Sequence, residues 1–420
     1  MSLRDRISGH YSGLETETPG QRSRRTWAEL TRLVAHAYET SREFRARMDE
    51  AELNPAAIRS WNDWPKIPKF SKKDLIALQQ SQGLAAMLAC DLGTLGRIYM
   101  SPGPIFDPEG RGSDYWGWTE AFFAAGFRKG DLVQMTFSYH LTPAGLMLEE
   151  PLRELGCAVI PAGPGNTEVQ IELMTRLPVT GFVGMASYLK VIKDKARELG
   201  LDLSKDIGLE VAFVAAERLA PSLRQELEDE LGMRVRQGYG TADIGCIAYE
   251  CQELSGMHLS SRCHVEIVDP KTGQPLPVGA TGEVVVTPFT DSYPLLRLAT
   301  GDLSRLVAEP CACGRTSMRL AGILGRADDT AKVKGQFIYP HQVAEVVASF
   351  PVIERWQVVV DNPGGKDALT LRLAIAEDLD AEAFAKAFQA KLKLRPRLVV
   401  EPAAAFAADA TPLVDKRKFE

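Results

Sequence analysis

Residues 211–243, VAFVAAERLAPSLRQELEDELGMRVRQGYGTAD, decide the fold class. Val211–Val214 is an apolar run of the length of a buried strand and too short for a helix. Pro221-Ser222 opens a helix, with Ser222 and Gln225 at the spacing of a capping box. Leu223, Leu227 and Leu231 recur every four residues and give that helix one buried stripe. Gly232 is placed to end it. Met233–Arg236 is then the next strand, and Gly238-Tyr239-Gly240-Thr241 a tight loop at its C-terminal end. Open α/β sheets bind ligands beyond the carboxyl ends of their strands, so this loop is a candidate site on geometry alone.

The same alternation extends upstream. Between Tyr115 and Val214, helical patterns separate the apolar runs Leu132–Phe137 and Ala158–Pro161, which predicts an α/β sheet. Earlier still, residues 27–60 read as helical, with Leu30, Leu33, Val34 and Tyr38 at helix spacing. Ser71 is a candidate N-cap after a Pro-punctuated approach. Downstream, Val265–Val268 and Glu283–Thr287 read as antiparallel strands. A boundary is expected near Gly325-Arg326, giving domains 1–324 and 325–420. The second domain holds the strand-like runs Gln357–Val360 and Leu369–Ile375 and an amphipathic helix over Ala381–Leu394, a small α+β appendage.

Composition narrows the function classes. The 420 residues are 45% hydrophobic and 25% charged, an ordinary globular balance with room for a large core. The net charge of -6 disfavours a general nucleic-acid or anionic-membrane binder. No apolar stretch approaches a membrane span, and the polar N-terminus does not read as a secretory signal. Seven cysteines are too sparse for a disulfide framework, so a reduced, cytoplasmic chain is expected.

Three constellations carry chemistry. Cys251 and His258, with Cys311-Ala312-Cys313 some way downstream, form a Cys3His set suited to tetrahedral zinc. No general base accompanies it, so a structural staple between two loops is expected; neighbouring Cys263 or His264 is an alternative ligand. The turn Thr300-Gly301-Asp302 presents a carboxylate that can accept hydrogen bonds from vicinal ribose hydroxyls. Gly325-Arg326-Ala327-Asp328-Asp329, followed by Lys332-Val333-Lys334-Gly335, suits a hinge between domains.

In order and spacing these segments resemble the phenylacetate–CoA ligase family of adenylate-forming enzymes. Trp64-Pro-Lys-Ile-Pro-Lys-Phe-Ser-Lys-Lys-Asp-Leu75 is similar to the family's entry segment, and Gly165-Asn-Thr-Glu168 with Gln170 to its GGNTERQ stretch. Ala215-Ala216-Glu217-Arg218 resembles the Gly-Ala-Glu-Pro that lines the adenine. Tyr239-Gly240-Thr241-Ala242-Asp243 resembles the family's Tyr-Gly-x-Ser/Thr-Glu loop, Thr300-Gly301-Asp302 its ribose turn, and Gly325–Asp329 through Tyr339-Pro340 its hinge. The cysteine–histidine set occurs as a zinc site in many relatives.

The resemblance implies a large multi-lobed N-terminal domain with a small C-terminal lid. It implies an AMP-forming reaction that joins an aromatic or similar small carboxylic acid to CoA through an acyl adenylate. ATP or AMP, Mg2+, CoA and structural Zn2+ would be the cofactors, and a homodimer the assembly. Ala216, Glu217, Gly238, Tyr239, Gly240, Thr241, Asp302 and Arg326 would bind the nucleotide, and Asp243 would hold the Mg2+. Lys416 or Lys418 would be the C-terminal adenylation lysine, and His140 would face the acyl pocket, with Phe137, Tyr139 and Tyr188 as an aromatic wall.

Two departures stand against full activity. Where the family has a phosphate loop close to Ser-Ser-Gly-Thr-Thr-Gly-Lys, this chain has Ser101-Pro102-Gly103-Pro104-Ile105-Phe106-Asp107. Pro102 and Pro104 lack N–H groups, the threonine hydroxyls are gone, and Asp107 falls about where the lysine would be. The tail's Val414-Asp415-Lys416-Arg417 is similar to the stretch just beyond the adenylation lysine in the family. An alternative is therefore an adenylation-deficient homologue that binds nucleotide or CoA thioester and acts as a transferase, hydrolase or binding protein.

Overall fold

Short β-prone runs separated by amphipathic helices have one economical solution, a sheet buried on both faces. The computed structural model, which describes residues 6–101, 105–327, 331–334, 336–338, 340–363, 366–407 and 410–417, has that arrangement. The chain divides into two compact units, Met1–Gly325 and Arg326–Glu420.

In the first unit, strands Ala158–Pro161, Leu132–Met135, Gly181–Gly184, Val211–Val214 and Arg234–Thr241 lie side by side in that spatial order, all parallel. Alternate side chains serve opposite faces. Val133, Val183 and Phe213 pack with Phe122 and Phe127 on one face, while Phe182, Ala212 and Val214 pack with Leu189, Ile192 and Leu227 on the other.

The decisive unit folds as a strand, a helix and a strand, with two corrections. The helix Pro221–Leu231 has Ala220 as its N-cap and Pro221 in its first turn, so Ser222 lies inside the helix and makes no capping box with Gln225. Leu227 and Leu231 are buried, Leu223 partly so, and Gly232 ends the helix in the left-handed region at φ 66°. The strand after it does not stop before a loop. It runs on through Thr241 and pairs antiparallel with Gly245–Glu250, with an irregularity between Tyr239 and Gly240. The glycines there leave space for an aromatic ring. A Cβ on Gly238 would stand 2.4 Å from Phe213 and 2.6 Å from Trp118, and one on Gly240 would stand 2.2 Å from the Gly245 carbonyl oxygen.

The helical region expected over 27–60 breaks in two. Helix Pro19–Thr40 begins on a Thr18–Gln21 capping box, and Ser41 leaves helical geometry to cap the helix Arg42–Glu50. A second sheet holds Phe70–Ser71, Leu298–Ser304, Gly282–Pro288 and Cys263–Val268, the last two antiparallel as expected. Arg297, fully buried, grips both oxygens of Glu266 at 3.1 Å and the carbonyls of Pro65, Ile67 and Gly273.

The second unit has a four-stranded sheet in the order Arg397–Val400, Ala368–Ile375, Ile353–Asp361, Leu413–Asp415. Helices Pro340–Ala348 and Ala381–Leu392 contribute Val343, Phe384 and Phe388 to its core. No described helix is long and apolar enough to cross a membrane.

Candidate nucleotide pocket and metal centre

The strand Leu298–Ser304 is interrupted by a bulge in which Gly301 takes φ 76°, with its pairing to Gly282–Pro288 broken there and resumed through Ser304. Thr300 Oγ1 donates to the Val284 carbonyl at 3.0 Å and accepts from the Asp302 N–H at 3.1 Å, which fixes the direction of the Asp302 side chain. Tyr239 reaches across from the neighbouring sheet and donates its hydroxyl to Asp302 Oδ2 at 2.7 Å. Tyr239 and Asp302, far apart in sequence, are thereby brought together.

The other residues expected around a nucleotide occupy varied surroundings. Ala216 sits at φ 70°, a costly conformation for a residue with a Cβ and a frequent mark of functional loops. Glu217 accepts from the Ser187 N–H at 2.6 Å and from its hydroxyl at 3.0 Å, a negative charge at the start of the helix Ala186–Glu198. Gly238 and Gly240 are committed to Trp118 and Phe213, and Thr241 Oγ1 is buried without a hydrogen-bond partner among the described residues. Arg326 belongs to the second unit. Asp328, Asp329, Gly335 and Tyr339 of the expected hinge lie outside the described residues, as do Pro102–Pro104.

The segment in place of a phosphate loop is a two-stranded ribbon, Arg97–Ser101 against Ile105–Glu109. Gln79 anchors it: its side chain donates to the Phe106 carbonyl at 2.9 Å and accepts from the Phe106 N–H at 2.7 Å. The ribbon carries Asp107 into the interior with no exposed surface. There it lies against the Asp243 carboxylate, whose Oδ2 is 2.7 Å from the Lys72 ammonium. Ser101 donates its hydroxyl to Asp107 Oδ2, and Asp107 Oδ1 has no hydrogen-bond partner among the described residues. Burial, then the charge of Asp243, hold the Asp107 carboxyl well above the usual carboxylate range. Two hard oxygen donors and an orphaned carboxylate oxygen fit a Mg2+ ion.

Sequence patterns do not single out Lys72. It occupies the first position of the helix Lys72–Gln82, behind the Ser71 cap, where the helix dipole opposes a cation. That misfit between residue and position is the signal that could have found it.

His140 is exposed on the loop after Leu132–Met135, its N–H on Ser138 Oγ at 3.2 Å. The aromatic wall does not form as one surface. Phe137 and Tyr139 pack on one core cluster and Tyr188 on another, with the Tyr188 hydroxyl on the Gly165 carbonyl at 2.7 Å. Lys416 is exposed in the second unit just after Leu413–Asp415, its N–H on the Val360 carbonyl. Lys418 lies outside the described residues.

The cysteine–histidine set converges. One ligand atom each from Cys251, His258, Cys311 and Cys313 lies within 4.8 Å of every other. The Cys251–Cys311 sulfur separation is 3.7 Å. A tetrahedron with Zn–S bonds of about 2.3 Å has an edge of roughly 3.8 Å. The hydrogen bond shared with Cys251, then that with His258, draws the Cys313 thiol well below the ordinary thiol range and holds that of Cys251 up. His258 Nδ1 is 3.3 Å from Ser317 Oγ, which orients the ring. Cys263 and His264 take no part. Cys263 is buried against the Cys246 carbonyl, and the His264 ring packs on Trp61 and Trp64. The loop carrying Cys311 and Cys313 also grips the N-terminal segment. Arg315 pairs with Glu15 at 2.6 Å, and the Thr316 N–H reaches the Glu15 carbonyl.

Residues 124–288 match the family of AMP-binding enzymes. The chain is 33% identical over 361 residues to a phenylacetate–coenzyme A ligase of Thermus thermophilus, covering 83% of this chain and 80% of that one. It is 29% identical over 358 residues to the phenylacetate–coenzyme A ligase of Escherichia coli K12, covering 82% and 80%. Its fold is similar to that of 2-hydroxyisobutyryl-CoA ligase crystallised with 2-HIB-AMP and CoA. The TM-score is 0.88 at 22% identity, over 97% of this chain and 92% of that one. With that degree of identity over most of both chains, this protein belongs to the phenylacetate–CoA ligase family, the AMP-forming acid–thiol ligases.

Proposed function

We propose that the chain activates a small, aromatic or similar carboxylic acid with ATP and transfers the acyl group to CoA. The observation that carries this reading is the Tyr239–Asp302 pair, a carboxylate directed by Tyr239 and by the Thr300 turn, on a chain one-third identical to a phenylacetate ligase. Asp302, held by Tyr239 and Thr300, accepts the ribose hydroxyls; Arg326, of the second unit, would bind the ribose too. Ala216 and Glu217 border the base. The acid's carboxylate attacks the α-phosphate and pyrophosphate leaves; the CoA thiol then attacks the acyl adenylate and AMP leaves. Mg2+, held at Asp243, would neutralise charge on the phosphates. Lys416 would supply a further cation, and His140 would stand at the acyl side. The Cys3His centre holds zinc as a structural staple. The family resemblance adds a cytoplasmic homodimer.

Pyrophosphate release measured with a panel of carboxylic acids that includes phenylacetate tests the reading. Acid-dependent release is expected. A second reading, binding of nucleotide or CoA thioester without ligation, draws on the ribbon that replaces a phosphate loop and carries Asp107 inward. AMP binding by calorimetry with no release for any acid would select it.

A further inference from the structure

The resemblance assigns one carboxylate, Asp243, to a metal. The structure places a second beside it. Asp107 has no counterpart in a Gly- and Thr-rich phosphate loop; it is brought in by the ribbon this chain has instead. Its Oδ2 accepts from Ser101, while its Oδ1, without exposed surface, has no hydrogen-bond donor among the described residues and its carboxyl lies against that of Asp243. The Asp243 side chain is 1% exposed, and the cation on it is Lys72, 2.7 Å from Oδ2 and itself only 13% exposed.

Two buried carboxyl groups share one ammonium in this set, and removing that ammonium with nothing in its place would leave a costly buried charge. Lys72 also stands in the first turn of its helix, where the backbone dipole repels it, and its ion pair with Asp243 offsets that repulsion. The set has the composition of a cation site held closed by a tethered cation.

Building on the ligase reading of Asp243, we propose that Asp107 and Asp243 together form a divalent-cation site, and that Lys72 is a built-in occupant that leaves Asp243 when the metal enters. Two carboxylates, the Ser101 hydroxyl, water and phosphate oxygens complete the all-oxygen shell that Mg2+ or Mn2+ prefers. The displaced ammonium turns to the phosphates, restoring on the helix Lys72–Gln82 the positive charge that the ribbon lacks. Metal entry and phosphate binding are thereby coupled through one side chain.

The test is Mn2+ titration of the purified full-length chain, followed by the electron paramagnetic resonance signal of free Mn2+, with no nucleotide or acid present. The wild type is expected to bind one Mn2+. Asp107→Asn, nearly isosteric, should weaken binding by about tenfold or more, and Lys72→Met should tighten it several-fold by removing the competitor. Shifts of opposite sign cannot arise from a general loss of folding, and thermal melts of both variants confirm it. Absence of binding to the wild type at millimolar Mn2+, equal affinity in Asp107→Asn, or no gain in Lys72→Met each overturns the proposal. Acid-dependent pyrophosphate release from a chain that fails this titration would leave the ligase reading standing. The expected shifts without any release would keep the cation site and end that reading.

Discussion

Replacing Asp302 by Ala gives the sharpest test of the nucleotide pocket. Its carboxylate is aimed by three contacts: the Tyr239 hydroxyl at 2.7 Å, its own N–H on Thr300 Oγ1 at 3.1 Å, and the Gly301 turn at φ 76°. A ribose diol donates two hydrogen bonds to such a charged acceptor, each worth about 1.5–3 kcal/mol net. Their loss weakens AMP binding by about 3–6 kcal/mol, or roughly two to four decades at about 1.4 kcal/mol per decade. Asp302→Asn keeps an acceptor and loses the charge, so its deficit should fall between wild type and Ala. Tyr239→Phe removes one aiming contact and should cost about 1 kcal/mol, near fivefold. Calorimetric titration with AMP alone reads each value. Titration with 2′-deoxy-AMP completes a double-mutant cycle: the missing hydroxyl should weaken binding to the wild type and leave Asp302→Ala unaffected. A folded Asp302→Ala variant that binds AMP within about threefold of wild type, under ~0.7 kcal/mol, would refute the reasoning.

Elemental analysis should find close to one zinc per chain, and Cys313→Ser should lose it and melt at a lower temperature; a folded chain free of metal contradicts the staple. Arg297→Met strands the buried Glu266 carboxylate and three carbonyls, so urea unfolding should show a loss of about 3–5 kcal/mol, and an unmoved midpoint would contradict the account. Gly240→Ala places a Cβ 2.2 Å from the Gly245 carbonyl oxygen and 2.5 Å from Trp118. It should cost about 1–3 kcal/mol of stability and weaken AMP binding together; a neutral variant would show that the strand irregularity at Tyr239 absorbs the side chain.

Much of this molecule can be read from local pattern. Val211–Val214, the Pro221 start and the Gly232 stop mark a strand, a helix and its end because each is dictated by residues within a turn or two. The Cys3His centre is legible because cysteine spacing carries its own chemistry. Reading fails where a residue answers to distant neighbours. Gly238 and Gly240 look like a turn, yet lie in a strand, because Trp118 and Phe213 require the absence of a Cβ there. Ser222 and Gln225 have the letters of a capping box, but Pro221 has already begun the helix. Asp107 is visible as an obstacle to phosphate. Its pairing with Asp243 and Lys72 is set by how a ribbon, a helix and a sheet pack, which no single segment encodes.

The grip of Arg315 on Glu15 spans 300 residues of chain. A ribosome adds about 5–20 residues per second, so the partner emerges roughly 15–60 s after the acid it must meet. During translation Glu120 and Asp131, the partners of Ser12 and Arg6, emerge first and can hold the N-terminal arm, while the Glu15 carboxylate waits for Arg315. The loop with Cys311 and Cys313 leaves the ribosome almost last in the first unit, so a metal taken up there would act as a final latch on the N-terminal segment.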